Sequence, residues 1–168
     1  MAGQLIGTWR TDCELVGSDS QQATLVFTAT GLEETKQDRA GLSCTPPEQE
    51  GFRRYSYTIG PTVDSPAGAY ALDLVYEEST QTPLTTSMAS RYNQAAHCGF
   101  TTWQAGQPKS VLGRLCGSAR VPDVGDGYFQ IIWVDGDVLQ VGQPTAQDDC
   151  RSQTQSCSRL SPYPYMRQ

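Results

Sequence analysis

The chain has a single histidine, His97, and a single asparagine, Asn93, among its 168 residues. One imidazole cannot complete a Cys₂His₂ zinc site, and no two of the cysteines have C-x-x-C spacing. Asn93 is followed by Gln-Ala, so no glycosylation sequon forms. No window approaches the roughly 18 apolar residues that a membrane span needs. Met1-Ala2-Gly3 lacks the charged head and apolar run of a secretory signal, as expected of a mature domain whose export signal has been removed. Basic charge is scarce too. Lys+Arg total 12 against 18 Asp+Glu, a net charge of −6, which argues against nucleic acid and against an anionic membrane surface. The two lysines beside ten arginines are a bias that genome composition explains as well as function does.

Helical periodicity is almost missing as well. Short runs of Val, Ile, Thr and aromatic residues alternate instead with Gly/Pro/Asp/Ser clusters. Strands are expected near 5–15, 23–29, 32–38, 52–59, 70–77, 85–92, 99–104, 110–115, 128–134 and 137–141. The length suits one domain with a real core, taken as residues 1–168. With no long helix to cover a parallel sheet, the fold class is all-β: one antiparallel barrel of about eight to ten strands.

Six cysteines stand at 13, 44, 98, 116, 150 and 157. An even count at wide, irregular spacing reads as three disulfides, and disulfides imply an oxidising compartment. In "HCGFTTWQAGQPKSVLGRLC", a turn at Gly106-Gln107-Pro108 sets Cys98 opposite Cys116, Phe100 opposite Arg114 and Trp103 opposite Val111. A helix would hold Cys150 and Cys157 about 10.5 Å apart, so their pairing requires "CRSQTQSC" to double back. Cys13 and Cys44 remain for each other, one choice among the 15 pairings that six cysteines allow. In "YFQIIWVDGDVLQVG" a three-residue loop at Asp135–Asp137, with Asp137 left-handed, puts Phe129, Ile131, Trp133, Leu139 and Val141 on one face.

Gly7-Thr8-Trp9 in the first strand of an all-β chain resembles the lipocalins and their calycin relatives, nearest to secreted or lipid-anchored bacterial members. The resemblance implies a glycine that bends the first strand and a tryptophan plugging the closed end beneath an arginine, here Arg159 or Arg167. Where lipocalins carry T-D-Y, Pro122-Asp123-Val124 keeps only the aspartate. A fainter resemblance links "NQAAHCGFTTWQAGQ" to the avidins, implying that Thr101, Thr102 and Trp103 line a biotin pocket.

Little here supports enzymatic chemistry. There is no G-x-S-x-G elbow, and His97 adjoins a cysteine assigned to a disulfide. The pairs Glu33-Glu34, Glu77-Glu78 and Asp148-Asp149 send adjacent carboxylates to opposite strand faces and read as solvated surface. No metal or other cofactor is expected. The favoured reading is a non-enzymatic binding protein, secreted, periplasmic or lipid-anchored at the cell surface. A small apolar or amphipathic ligand would sit inside the barrel. Tyr70, Tyr92, Trp103, Phe129 and Trp133 are the candidate lining, and Arg114 a polar anchor. The alternative is a secreted interaction module with a packed barrel, binding a protein partner through its loops. An open cavity favours the first reading, a filled core the second.

Overall fold

The structure is a computed structural model describing residues 2–145 and 147–168. In chain order it comprises a helical turn α1 (Ala2–Leu5) and strands β1 (Gly7–Thr11), β2 (Glu14–Val16), β3 (Asp19–Phe27), β4 (Gly31–Ala40), β5 (Gln49–Thr62) and β6 (Tyr70–Pro83). Helix α2 (Thr86–Gln94) follows, then β7 (Lys109–Ser110), β8 (Leu115–Cys116), β9 (Ala119–Arg120), β10 (Gly127–Asp135), β11 (Val138–Gln143), β12 (Arg159–Leu160) and β13 (Tyr165–Arg167). Eight strands run β1-β13-β11-β10-β6-β5-β4-β3, and β3 pairs back onto β1, so the antiparallel barrel closes. Closure leaves the ring no unpaired edge.

Alternation decides what fills it. Ala23, Leu25 and Phe27 of β3, Leu32 of β4, Tyr55 of β5, Leu72, Leu74 and Tyr76 of β6, and Ile132 of β10 point inward and form one buried cluster. The base is the tightest part. Trp9 is fully buried, its Nε1–H donates to the Leu5 carbonyl at 2.7 Å, and the Arg167 guanidinium lies over its ring at 4.1 Å. Of the two arginines, Arg167 therefore stacks on Trp9, while Arg159 is exposed on β12. Gly7 earns its place here: its φ is +138°, and a Cβ would stand 3.0 Å from Arg167 Nη1. A side chain would be strained in backbone and pressed against the guanidinium.

Three disulfides form, Cys13–Cys44, Cys98–Cys116 and Cys150–Cys157. The last closes around a turn at Gln153–Gln155, with Cα atoms 4.8 Å apart. Its loop continues the barrel wall where β11 stops. Phe129 N–H donates to Cys150 O at 2.7 Å, and Cys157 N–H to Phe129 O at 3.0 Å.

Several local expectations fail for identifiable reasons. Residues 85–92 are not a strand but the start of α2, because Thr85 caps a helix: its hydroxyl accepts from Met88 N–H at 3.1 Å. Met88, Ala89 and Tyr92 then share one helix face, a spacing masked by the flanking threonines. Residues 99–104 form no strand either, and the hairpin ladder from 98 to 116 does not exist. Cys98 lies at φ +53° within a short 3₁₀ turn, and Lys109–Ser110 pairs with β6. The expected partners still meet, since Arg114 stacks on Phe100 at 4.0 Å and Trp103 shares a cluster with Val111. The β10–β11 turn holds two residues, Gly136-Asp137, because Asp135 pairs with Val138. Gly136 takes the positive φ, +56°, instead of Asp137. That one-residue slip turns Tyr128, Gln130 and Ile132 inward and Phe129, Ile131 and Trp133 outward.

Trp9→Ala should lower unfolding stability by about 3–5 kcal/mol, from lost burial and the cavity left behind. Urea denaturation of both proteins measures this. A near-neutral change would show that the base does not depend on the indole.

Candidate functional site

Above the sealed base the barrel is not filled. A cavity of about 240 Å³ lies in the lumen. Leu25, Leu32, Leu72, Leu74 and Val141 supply apolar wall, and Tyr55, Tyr128 and Tyr165 supply rings. Exposed Val16, Pro144 and Tyr163 mark its mouth. Polarity rises toward the mouth because the inward positions of β4 read Leu32, Glu34, Lys36, Asp38. Those of β5, running the opposite way, read Gln49, Gly51, Arg53, Tyr55.

At the middle level a charged triad forms. Glu34 Oε1 accepts from Lys36 Nζ at 3.2 Å, and Oε2 accepts from Arg53 Nη1 at 3.1 Å and from the Tyr55 hydroxyl at 3.2 Å. Burial alone would raise the Glu34 pKa. The Lys36 and Arg53 charges outweigh it and hold the carboxyl at about 2. The same pairing raises the Arg53 pKa, while burial and the Glu34 charge push the Tyr55 and Tyr165 hydroxyls upward. Tyr128 is pushed to about 12, chiefly by burial. Further up, Asp38 accepts from Gln21 Nε2 at 2.7 Å and from Gln49 Nε2 at 3.1 Å, and Tyr92 O–H donates to Gln49 Oε1 at 2.5 Å.

Two acceptors on the cavity wall have no partner among the described residues, Glu14 Oε1 and Gln130 Oε1. Burial raises the Glu14 pKa despite the Thr11 hydrogen bond and the Lys36 charge. Both oxygens are buried within the wall itself, acceptors left without a donor.

Of the six residues expected to line the pocket none lines this cavity, and only Tyr92 reaches the adjoining upper pocket, beside Lys36, Arg53 and Gln49. Trp103, Tyr92 and Arg114 belong to a second aromatic cluster beside α2. There Trp103 Nε1–H donates to the His97 carbonyl at 3.1 Å, and Tyr92 stacks on His97 at 4.2 Å. Thr101 and Thr102 lie in the same outer segment. Trp133 and Phe129 are on the outer face of β10, and half-buried Tyr70 packs on the barrel core. His97, Cys98 and Cys116 cluster tightly, but the two sulfurs are bonded to each other and offer no thiolate to a metal. The residues that do line the cavity had a signal in the sequence. Leu32, Glu34 and Lys36 alternate on one strand face, so an inward leucine carries the two charged residues inward with it. Glu33, pointing the other way, pairs with Arg54 outside at 3.2 Å, so only half of that carboxylate pair is surface.

No family model matches the chain, and no curated protein matches it. The cavity is therefore read from its own chemistry.

Because the Glu34 carboxyl is held at about 2, below its ordinary 4.5, its stabilising contribution is full above pH 4.5 and is lost as pH falls toward 2. Glu34→Gln should be destabilising at pH 7, on the order of 3 kcal/mol, and the difference from wild type should shrink between pH 4 and pH 2. Urea midpoints across that range read the effect. A pH-independent difference would mean the triad carries no linked charge.

Proposed function

We propose that this chain is an extracytoplasmic, non-enzymatic, lipocalin-like protein that carries one small, partly apolar ligand in its barrel lumen. The carrying observation is the cavity itself: about 240 Å³ of open lumen above a floor closed by Trp9. A barrel of eight strands has room for side chains to fill it or for one small ligand, and here side chains do not fill it. Gly7, Trp9 and Arg167 take the arrangement that the lipocalin resemblance implies for the closed end, which supports the lipocalin-like reading. Three disulfides support an oxidising compartment. No helix among the described residues is long and apolar enough to cross a membrane. An interaction module with a packed barrel would require a filled lumen, which the open volume argues against.

No tryptophan lines the cavity, so intrinsic tryptophan emission is a poor reporter and an added probe is needed. The neutral dye N-phenylnaphthylamine should brighten with wild-type protein. Val141→Phe puts a ring into the cavity and should weaken the dye by about tenfold or more, the factor that 1.4 kcal/mol represents, without lowering the melting temperature. Native mass spectrometry of protein from its own host should find a retained small molecule. Dye binding unchanged by Val141→Phe, or no dye binding at all, would end the lumen-carrier reading.

A further inference from the structure

Above the charged triad the lumen changes character. The rung next to Glu34 and Arg53 reads Ala23, Lys36, Gly51 and Gln81 across β3 to β6. Gly51 leaves a gap in that rung: a Cβ there would touch nothing, and no positive φ demands the glycine. A chamber of about 260 Å³ occupies the gap. It adjoins the lower cavity at the triad, since Glu34, Lys36 and Arg53 line both. Tyr92 of α2 lines it too and bonds Gln49 on its wall. Where the lower cavity has leucines, this wall is amides and charges.

Its hydrogen-bonding capacity is mixed. Lys36 Nζ and the Arg53 guanidinium each make one ion pair, with Glu34, and keep further N–H donors. Gln81 gives its carbonyl oxygen to His97 Nε2 at 2.6 Å, and its amide N–H groups have no partner among the described residues. Gln21 is the reverse: its amide donates to Asp38, and its carbonyl oxygen has no partner among them. Charge is mixed as well. Glu34, Asp38 and Glu50 stand against Lys36 and Arg53, and Glu14 adds an acid to the cavity below. An anionic head would therefore meet more carboxylates than cations. A cationic head would stand beside Lys36 and Arg53, and it would compete with the donors that already occupy both oxygens of Glu34 and of Asp38.

We propose that the upper chamber is a sugar subsite, taking the neutral, polyhydroxylated ring of a glycoside whose apolar aglycone lies in the cavity below. This inference rests on the carrier reading and specifies the ligand's head. A hydroxyl both donates and accepts. Several on one ring can thus answer the spare N–H groups of Lys36 and Gln81 and the spare carbonyl of Gln21 together, without adding a charge to either side. An alkyl group in the same place would strand those groups without partners.

The test compares octyl glucoside, octanol, octanoate and octylamine by isothermal titration calorimetry at pH 7, four heads on one tail, each below its micelle concentration. Octyl glucoside should bind wild-type protein about tenfold or more tighter than the other three, as two or more net hydrogen bonds would give. Gly51→Leu puts a side chain into the chamber at an unstrained position. It should weaken octyl glucoside by about tenfold or more while moving octanol and N-phenylnaphthylamine less than about twofold, and a melting curve confirms that it folds. The ranking of heads on wild-type protein tests the subsite without any variant. Octanol, octanoate or octylamine binding as tightly as octyl glucoside would overturn the sugar assignment and leave the carrier reading standing. So would a folded Gly51→Leu that binds octyl glucoside like wild type. Failure of all four ligands, with no dye uptake, would overturn both.

Discussion

The barrel stands on one contact between its two ends. Arg167, in the last strand, lays its guanidinium on the Trp9 indole of the first, at 4.1 Å. The same guanidinium donates to the carbonyls of Ile6 and Gln4 and pairs with Asp137 at 3.3 Å across the β10–β11 turn. It thus ties together the entry of β1, the exit of β13 and a hairpin tip. Only this base brings β1, β3 and β13 into one ring, since β1 pairs with both β3 and β13. A cation stacked on a largely desolvated ring is worth more than an exposed one, and a flat indole covers the base with a single side chain.

A sealed base is what allows the lumen above it to stay open. If the core were spread evenly, a void of this size would cost several kilocalories in lost contacts. Here the apolar packing is concentrated low in the barrel, on Leu5, Trp9, Phe27, Ile132 and Leu139, all but fully buried. Higher up, short and charged inward side chains stand among the leucines and tyrosine rings. Ala23 leaves room, and a Cβ on Gly51 would touch nothing. The charges of Glu34, Lys36 and Arg53 cannot collapse onto hydrocarbon without losing their partners. Small residues and a charged layer hold the space open by different means, one by withholding volume and the other by resisting desolvation.

The sequence made the barrel legible where period-two alternation is undisturbed. β4, β5 and β10 lie within a few residues of where alternation puts them, and the even cysteine count led to the three bridges that form. It misled where a cap or a turn decides. Thr85 and Thr86 look like strand residues by propensity, yet a capping hydroxyl at Thr85 makes the next turn helical. At Asp135-Gly136-Asp137 a single residue of loop length changes which side of β10 faces inward, and that moved Phe129 and Trp133 from lumen to exterior. The candidate site suffered most from following aromatic residues. Trp103 is conspicuous in the chain but packs beside α2, and Tyr92 reaches the upper wall from α2, whereas the lumen's charge lies in "GLEETKQDRA" and "FRRYSY", stretches that read as solvated strands.

The outer aromatic cluster explains why an external brace is needed at all. The barrel wall is uneven: β5 and β6 run for 14 residues each, whereas β1 has five and β13 three. The upper ends of the long strands therefore project beyond the closed ring, and their polar inner face would stand free in water. Helix α2 and the segment after it fold back over that projection. Tyr92 reaches Gln49 on β5, and His97 Nε2 reaches Gln81 Oε1 on β6 at 2.6 Å. The Cys98–Cys116 bridge pins the segment, and Phe100 is flanked by Arg114 and Lys109. A loop built this way hydrogen-bonds the polar upper wall instead of inserting into it. Tyr92, Phe100 and Trp103 are thereby committed to the cluster beside α2, and the lumen keeps only the rings that the strands themselves carry, Tyr55, Tyr128 and Tyr165 among them.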